Sequence, residues 1–92
     1  MFEGDEDKNK RNITKHGVSF EEAQVIWSDP KAVEFFDPDN SQDESRFIRV
    51  GTNIGRGILF VVFCERDDGD VIRIISARKA TKNEREEYER GI

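Results

Sequence analysis

The sequence predicts a single α+β domain over residues 1–92: two N-terminal helices on a mainly antiparallel β-sheet, with a C-terminal helix. Three observations predict it. Four stretches rich in β-branched and aromatic residues follow one another between Ala32 and Ala77, each parted from the next by turn formers. Two helix-start signals precede them, and a third follows.

Taken in order, Phe2-Glu3 reads as a very short strand. Asp5 can then cap a helix running to His16, with Gly17 suited to the left-handed position after it. Ser19 with Glu22 forms a capping box, and Phe20, Ala23, Gln24 and Trp27 follow at helical spacing until Asp29-Pro30 stops the helix. The strands are expected at Ala32 to Phe36, Ser45 to Gly51, Ile58 to Glu65 and Val71 to Ala77. Their separators are Asp37-Pro38-Asp39-Asn40, then Asn53 to Gly57, then Asp67-Asp68-Gly69-Asp70, so an antiparallel meander is the economical arrangement. Gly51, Gly55 and Gly57 read as hairpin glycines between strands. Thr81 with Glu84 opens the last helix, Thr81 to Arg90.

The strand Ile58 to Glu65 is apolar on both alternating sets, which places it centrally. The first two helices can cover one sheet face. The last helix offers only Tyr88 and Ile92 as apolar anchors and cannot seal the other. A partly covered face rimmed by arginines is a candidate binding surface.

A chain of net charge −5 would repel phosphate if the charge were spread evenly. It is not. Between Gly17 and Ser45 only Lys31 is basic, against Glu21, Glu22, Asp29, Glu34, Asp37, Asp39, Asp43 and Glu44. From Arg46 onward cations outnumber acids, and Arg78-Lys79 fall at the junction of a strand and a helix. One surface suits a polyanion and another a basic protein, although an ordinary solvated surface has the same composition. Cys64 is the sole cysteine, so no disulfide framework exists. Nothing near Met1 resembles an apolar signal segment, and the run Ile58 to Cys64 is too short to span a bilayer, so a soluble cytoplasmic chain is expected.

The spacings of zinc and calcium sites are absent, as are a phosphate-binding glycine loop and a Ser-His-Asp set, so no metal or cofactor is expected. RNA scission needs none of these. The 2′-hydroxyl attacks its own phosphate once a base takes its proton, cations stabilise the phosphorane, and an acid protonates the leaving 5′-oxygen. His16, Glu44, Arg46, Arg66, Arg78, Lys79 and Tyr88 have the right chemistry. Each has a competing structural reading. His16 shares a helix face with Asn9, Asn12 and Ile13, a stripe that reads first as hydrogen-bonded scaffold. Arg66 is next to Asp67 and Asp68, either of which offers a local ion pair. Arg73 reads as a snorkelling side chain and Tyr88 as the anchor of its helix. Glu44 and Arg46, two apart in extended chain, share one sheet face. Arg78 is the strongest candidate, because a cation at a strand end has few structural reasons to be there.

The stretches Lys15-His16-Gly17-Val18-Ser19-Phe20-Glu21-Glu22-Ala23, Ser28-Asp29-Pro30, Glu44-Ser45-Arg46 and Ile72 to Ala80 resemble the BrnT family of bacterial toxins, nearly end to end and in order. The resemblance implies a RelE-like fold and a metal-independent ribonuclease that inhibits translation, one half of a type II toxin–antitoxin pair. It implies a BrnA-like antitoxin with a ribbon-helix-helix part, operator DNA being reached only through that partner. It makes His16, Glu44, Arg46, Arg66 and Arg78 candidate catalytic residues, and Lys15, Lys79, Lys82 and Tyr88 candidate RNA-binding residues. The chain departs from the family at Gly4, where an aromatic is usual; a lost buried aromatic costs on the order of 3–5 kcal/mol. Trp27 stands where a Phe is common and offers volume to refill that space. A non-catalytic relative of the same fold, acting as an antitoxin-bound corepressor or RNA-binding module, is the alternative.

Overall fold

Each expected capping signal starts a helix in the computed structural model, which describes residues 1–40 and 44–91. The Asp5 carboxylate accepts the N–H groups of Asp7 and Lys8 at 3.0 and 3.1 Å and opens α1 (Glu6–His16). Gly17, at φ 71°, closes it by donating its N–H to the Ile13 carbonyl. Ser19 and Glu22 cap each other's backbone at the start of α2 (Phe20–Gln24), which tightens into a 3₁₀ turn over Val25–Ser28. Thr81 and Glu84 do the same for α3 (Lys82–Arg90).

The strands are β1 (Phe2–Glu3), β2 (Val33–Asp37), β3 (Arg46–Asn53), β4 (Gly57–Arg66) and β5 (Val71–Lys79), in the order β1-β5-β4-β3-β2. β2 to β5 form the expected antiparallel meander. β1 lies parallel to β5, pairing Phe2 with Ile72 and Glu3 with Arg73, so the sheet is mixed. The separation of β1 from β5 by the rest of the domain allows that parallel pairing, which no hairpin could make.

One glycine sits elsewhere than the sequence pattern places it. Gly51 lies inside β3, whereas Gly57, at φ 92°, closes the β3–β4 hairpin opposite Asn53. A Cβ on Gly51 would meet the Ile26 Cβ at 3.0 Å and the Ala32 Cβ at 3.1 Å, so its bare backbone lets the 3₁₀ turn rest on the sheet. A second irregularity has no sequence signal. The register of β4 against β5 slips between Val62–Ser76 and Phe63–Ile74, leaving Ile75 as an extra residue. Arg73 therefore does not alternate regularly with Ile75.

The core lies on one face of the sheet, where α1, α2 and the 3₁₀ turn cover it. Val18, Phe20, Ala23 and Ile26 pack on Leu59, Val61, Ile74 and Ala77. Trp27 joins this layer edge-on to Phe2 at 5.1 Å and to Phe63 at 5.0 Å, next to the first strand. An added side chain at exposed Gly4 would meet nothing within 4 Å. The opposite face carries buried Val50 and half-buried Ile58, Phe60 and Val62, and α3, which rests there against β3, contains no buried residue. Ile92, the second expected anchor, lies outside the described residues. Among those described, no helix is long and apolar enough to cross a membrane.

Because β1 pairs only with Ile72 and Arg73, the rest of that β5 edge has no strand partner among the described residues. α1 continues along it. The buried Asn12 amide accepts the Ala77 N–H at 3.1 Å and donates to the Ala77 and Val18 carbonyls at 2.8 Å each. A single side chain thus takes the place of a strand neighbour.

Candidate functional site

Strand ends, hairpins and the α3 start bring the polar candidates to distinct places on and around the incompletely covered face. At the β1 end, the register sets Cys64 of β4 between Arg46 of β3 and Arg73 of β5, with Asp37 of β2 beyond Arg46. Arg66 and Arg73 both reach Glu3, at 3.4 and 4.0 Å. Glu44 lies just before β3 and interacts with the Cys64 thiol. Burial first, and the Glu44 carboxylate second, push that thiol up, which makes it an inert buried group. Glu44, Arg46 and Arg66 are thus neighbours of one centre. Arg66 differs from the sequence expectation: its ion pair is with Glu3 across the sheet, not with Asp67 or Asp68. Those aspartates adopt left-handed backbone at φ 53° and 57° to make the hairpin.

At the other end of β5, the Arg78 guanidinium lies 4.0 Å from the Phe60 ring centroid and grips Glu84 with two bonds, at 2.7 and 2.9 Å. The paired charges hold Glu84 below and Arg78 above their ordinary values, the side-chain bond between them being the first cause for each. A strand-end arginine therefore does have a structural reason to be there, which corrects the sequence-based case for Arg78. The signal was present: Glu84 is also the capping-box residue that places the carboxylate beside it. Lys79 and Lys82 are exposed at the same junction.

Tyr88 stands apart from both centres. Its hydroxyl donates to the Asp29 carboxylate and accepts from Thr52 at 2.9 Å, anchoring α3 to the sheet. Burial acts to raise the Asp29 carboxyl, but hydrogen bonds from Tyr88 and from the Thr52 and Lys31 N–H groups outweigh it and hold it below the usual value. Burial and the Asp29 bond push the Tyr88 hydroxyl up, so it is poorly suited to give away its proton.

His16 and Lys15 lie on α1, where they line an open groove with Lys8, Arg11, Asn12, Ile75 and Ser76. The scaffold reading of this stripe holds for Asn12, and for Asn9, whose side chain accepts the Phe20 N–H at 2.8 Å. Sequence reasoning missed Glu3, whose role depends on parallel pairing across the chain. It also missed Lys8 and Arg11, although their spacing with Lys15 marks one helix face.

A family model described as the ribonuclease toxin BrnT of type II toxin–antitoxin systems matches residues 5–84. The chain belongs to the BrnT family. Among solved structures, the Brucella abortus ribonuclease toxin BrnT is similar with a TM-score of 0.60 and 26% identity, covering 89% of this chain and 95% of that one. A search of the curated proteins finds no match. The BrnT assignment makes the chain a ribonuclease toxin of a type II toxin–antitoxin system, with RNA as target and an antitoxin as partner. The BrnT match begins at Asp5, the α1 cap, and ends at Glu84, the Arg78 partner, so of the polar residues described above Glu3 and Tyr88 fall outside it.

Proposed function

We propose that this BrnT-family chain is a metal-independent endoribonuclease that halts translation by cutting RNA on the open sheet face. The observation that carries the reading is the gathering of Glu44, Arg46, Arg66 and Arg73 from separate strands around Cys64. Glu44 supplies a carboxylate base for the 2′-hydroxyl, and the guanidinium groups oppose the charge that grows on the phosphorane oxygens. His16 and Arg78 are the further catalytic candidates, away from that centre, and Lys79 and Lys82 hold flanking phosphates. The Arg66–Glu3 pair does not forbid this role. Both side chains are about 40% exposed, and such pairs contribute only about 0–1 kcal/mol, so a phosphate can displace the glutamate.

In this reading the chain is cytoplasmic, and its antitoxin is BrnA-like, with a ribbon-helix-helix part that carries the complex to operator DNA. The acidic segment Glu34 to Glu44 suits such a basic partner; Glu34, Asp37 and Asp39 lie in or beside β2, while Asp43 falls outside the described residues. β2 is the outer strand of the sheet and leaves Phe35 and Phe36 about half exposed, which adds apolar surface to that dock. One observation favours the non-catalytic alternative: Arg66, Arg73 and Arg78 all have glutamate partners within the chain.

The deciding experiment is RNA cleavage in excess EDTA by wild type, Arg78→Ala and Glu84→Gln, each checked for folding. Catalytic use of Arg78 predicts a loss of about 100- to 1,000-fold for Arg78→Ala and near-normal cleavage for Glu84→Gln, with 2′,3′-cyclic phosphate ends. Equal losses in both variants would reduce Arg78 to a tether for α3. No cleavage by folded wild type, with or without ribosomes, would overturn the enzymatic reading.

A further inference from the structure

The cations of this molecule fall into two kinds. Arg49, Arg56, Arg66, Arg73 and Arg78 each have a glutamate partner. Lys8, Arg11 and Lys15 form no ion pair among the described residues; Asp5, at the helix start, feels the first two only at longer range. These three project from α1 at positions i, i+3 and i+7, and they line the groove against Ile75 and Ser76 together with His16. The groove exists because β1 stops at Glu3 and α1 takes its place along β5, where the bulged Ile75 interrupts the register.

We propose that this groove is the track that holds the sugar-phosphate backbone of the RNA strand. The inference rests on the ribonuclease reading and adds to it the path by which substrate reaches the site. Positions 8 to 15 cover about 10 Å of helix axis, the rise of roughly three stacked nucleotides. The wall residue Ser76 precedes Arg78 by two positions on the same strand, about 7 Å away along β5. His16 closes the groove at the C-terminal end of α1. A backbone lying along Lys8, Arg11 and Lys15 therefore runs between Arg73, two residues before Ile75 on β5, and His16 and Arg78. Cations without internal partners are the ones that gain most from a phosphate, because no existing bond must first be broken. The groove lining contains no Phe, Tyr or Trp for base stacking and only His16 at its end, so binding along it is directed to phosphate and indifferent to sequence.

The test uses a short fluorescein-labelled single-stranded RNA, 2′-O-methylated throughout so that it cannot be cut. Its affinity is measured across a salt series for wild type, for Lys8→Ser with Arg11→Ser, and for Lys10→Ser on the exposed remainder of the same helix. The double variant should weaken binding at least about tenfold and lower the salt slope by about 1.4, at roughly 0.7 for each phosphate no longer neutralised. Lys10→Ser should match wild type. An unchanged slope in a folded double variant overturns the track, as does wild type that binds no RNA at low salt. Loss of antitoxin affinity with RNA affinity intact would instead make the groove a protein-binding surface and also overturn it. Cleavage of an unmethylated copy, run in parallel, separates failure of the track from failure of the ribonuclease reading.

Discussion

α1 and α3 are alike in composition and differ in how they are held. Both are short, strongly charged helices with a side-chain N-cap and a left-handed glycine after the last turn. Neither buries an apolar side chain of its own; Asn12 is the buried residue of α1, and α3 has none. α1 nevertheless belongs to the core, because the Asn12 amide is hydrogen-bonded to the backbone of β5 and Asn9 to that of Phe20. α3 is held at its two ends by Arg78–Glu84 and by Tyr88 on Asp29. A polar helix can be fixed to a sheet by uncharged amides or by charged pairs, and the second kind of tie responds to pH.

Asn12→Ala should produce the largest effect. It leaves the Ala77 N–H and the Ala77 and Val18 carbonyls buried without partners, at about 1–3 kcal/mol for each unsatisfied group. A loss of about 3 kcal/mol or more in urea unfolding is expected. If the cost is below about 1 kcal/mol, α1 is docked by something other than this amide. Tyr88→Phe should cost less, about 1–3 kcal/mol, since the hydroxyl's bonds to the Asp29 carboxylate and to Thr52 are removed at a half-buried site. Hydrogen exchange should place that loss in α3 and leave α1 protected; equal loosening of both helices would erase the contrast.

Acid should give the smallest change. Glu84 and Asp29 both have folded values below their unfolded ones, so each contributes stability that is fully present above the ordinary carboxylate range. That contribution fades as pH falls through the lower folded values. Below about pH 4, α3 should open at a free-energy cost lowered by about 1 kcal/mol or less, the scale of partly exposed pairs. Asn12 and Asn9 do not titrate, so exchange in the centre of α1 should hold over the same range. Parallel opening of both helices would show that the Asp5 cap, whose carboxyl is also held low, matters more than the buried amide.

Local chemistry was readable along the chain. Asp5, Ser19–Glu22 and Thr81–Glu84 announce their helices because a cap is an interaction between residues two or three apart. The meander was readable from alternation and turn formers, and the poor seal over the second face from the scarcity of apolar residues after Thr81. The family was readable from motifs that are themselves local, such as Ile72 to Ala80.

What joined the candidate site was not readable. Glu3 meets Arg66 and Arg73 only because β1 pairs in parallel with β5, a choice made across 69 residues of intervening chain between Phe2 and Ile72. Gly51 looked like a hairpin glycine until the Ile26 turn was laid on it, and Ile75 looked regular until β4 set the register. Arg78 looked unattached because its bond to Glu84 spans the turn from β5 into α3. Short-range propensities and caps depend on neighbours in the chain, so the residue order specifies them. Pairings across the sheet depend on which edges and faces the packed core leaves open, and those exist only once the elements have come together.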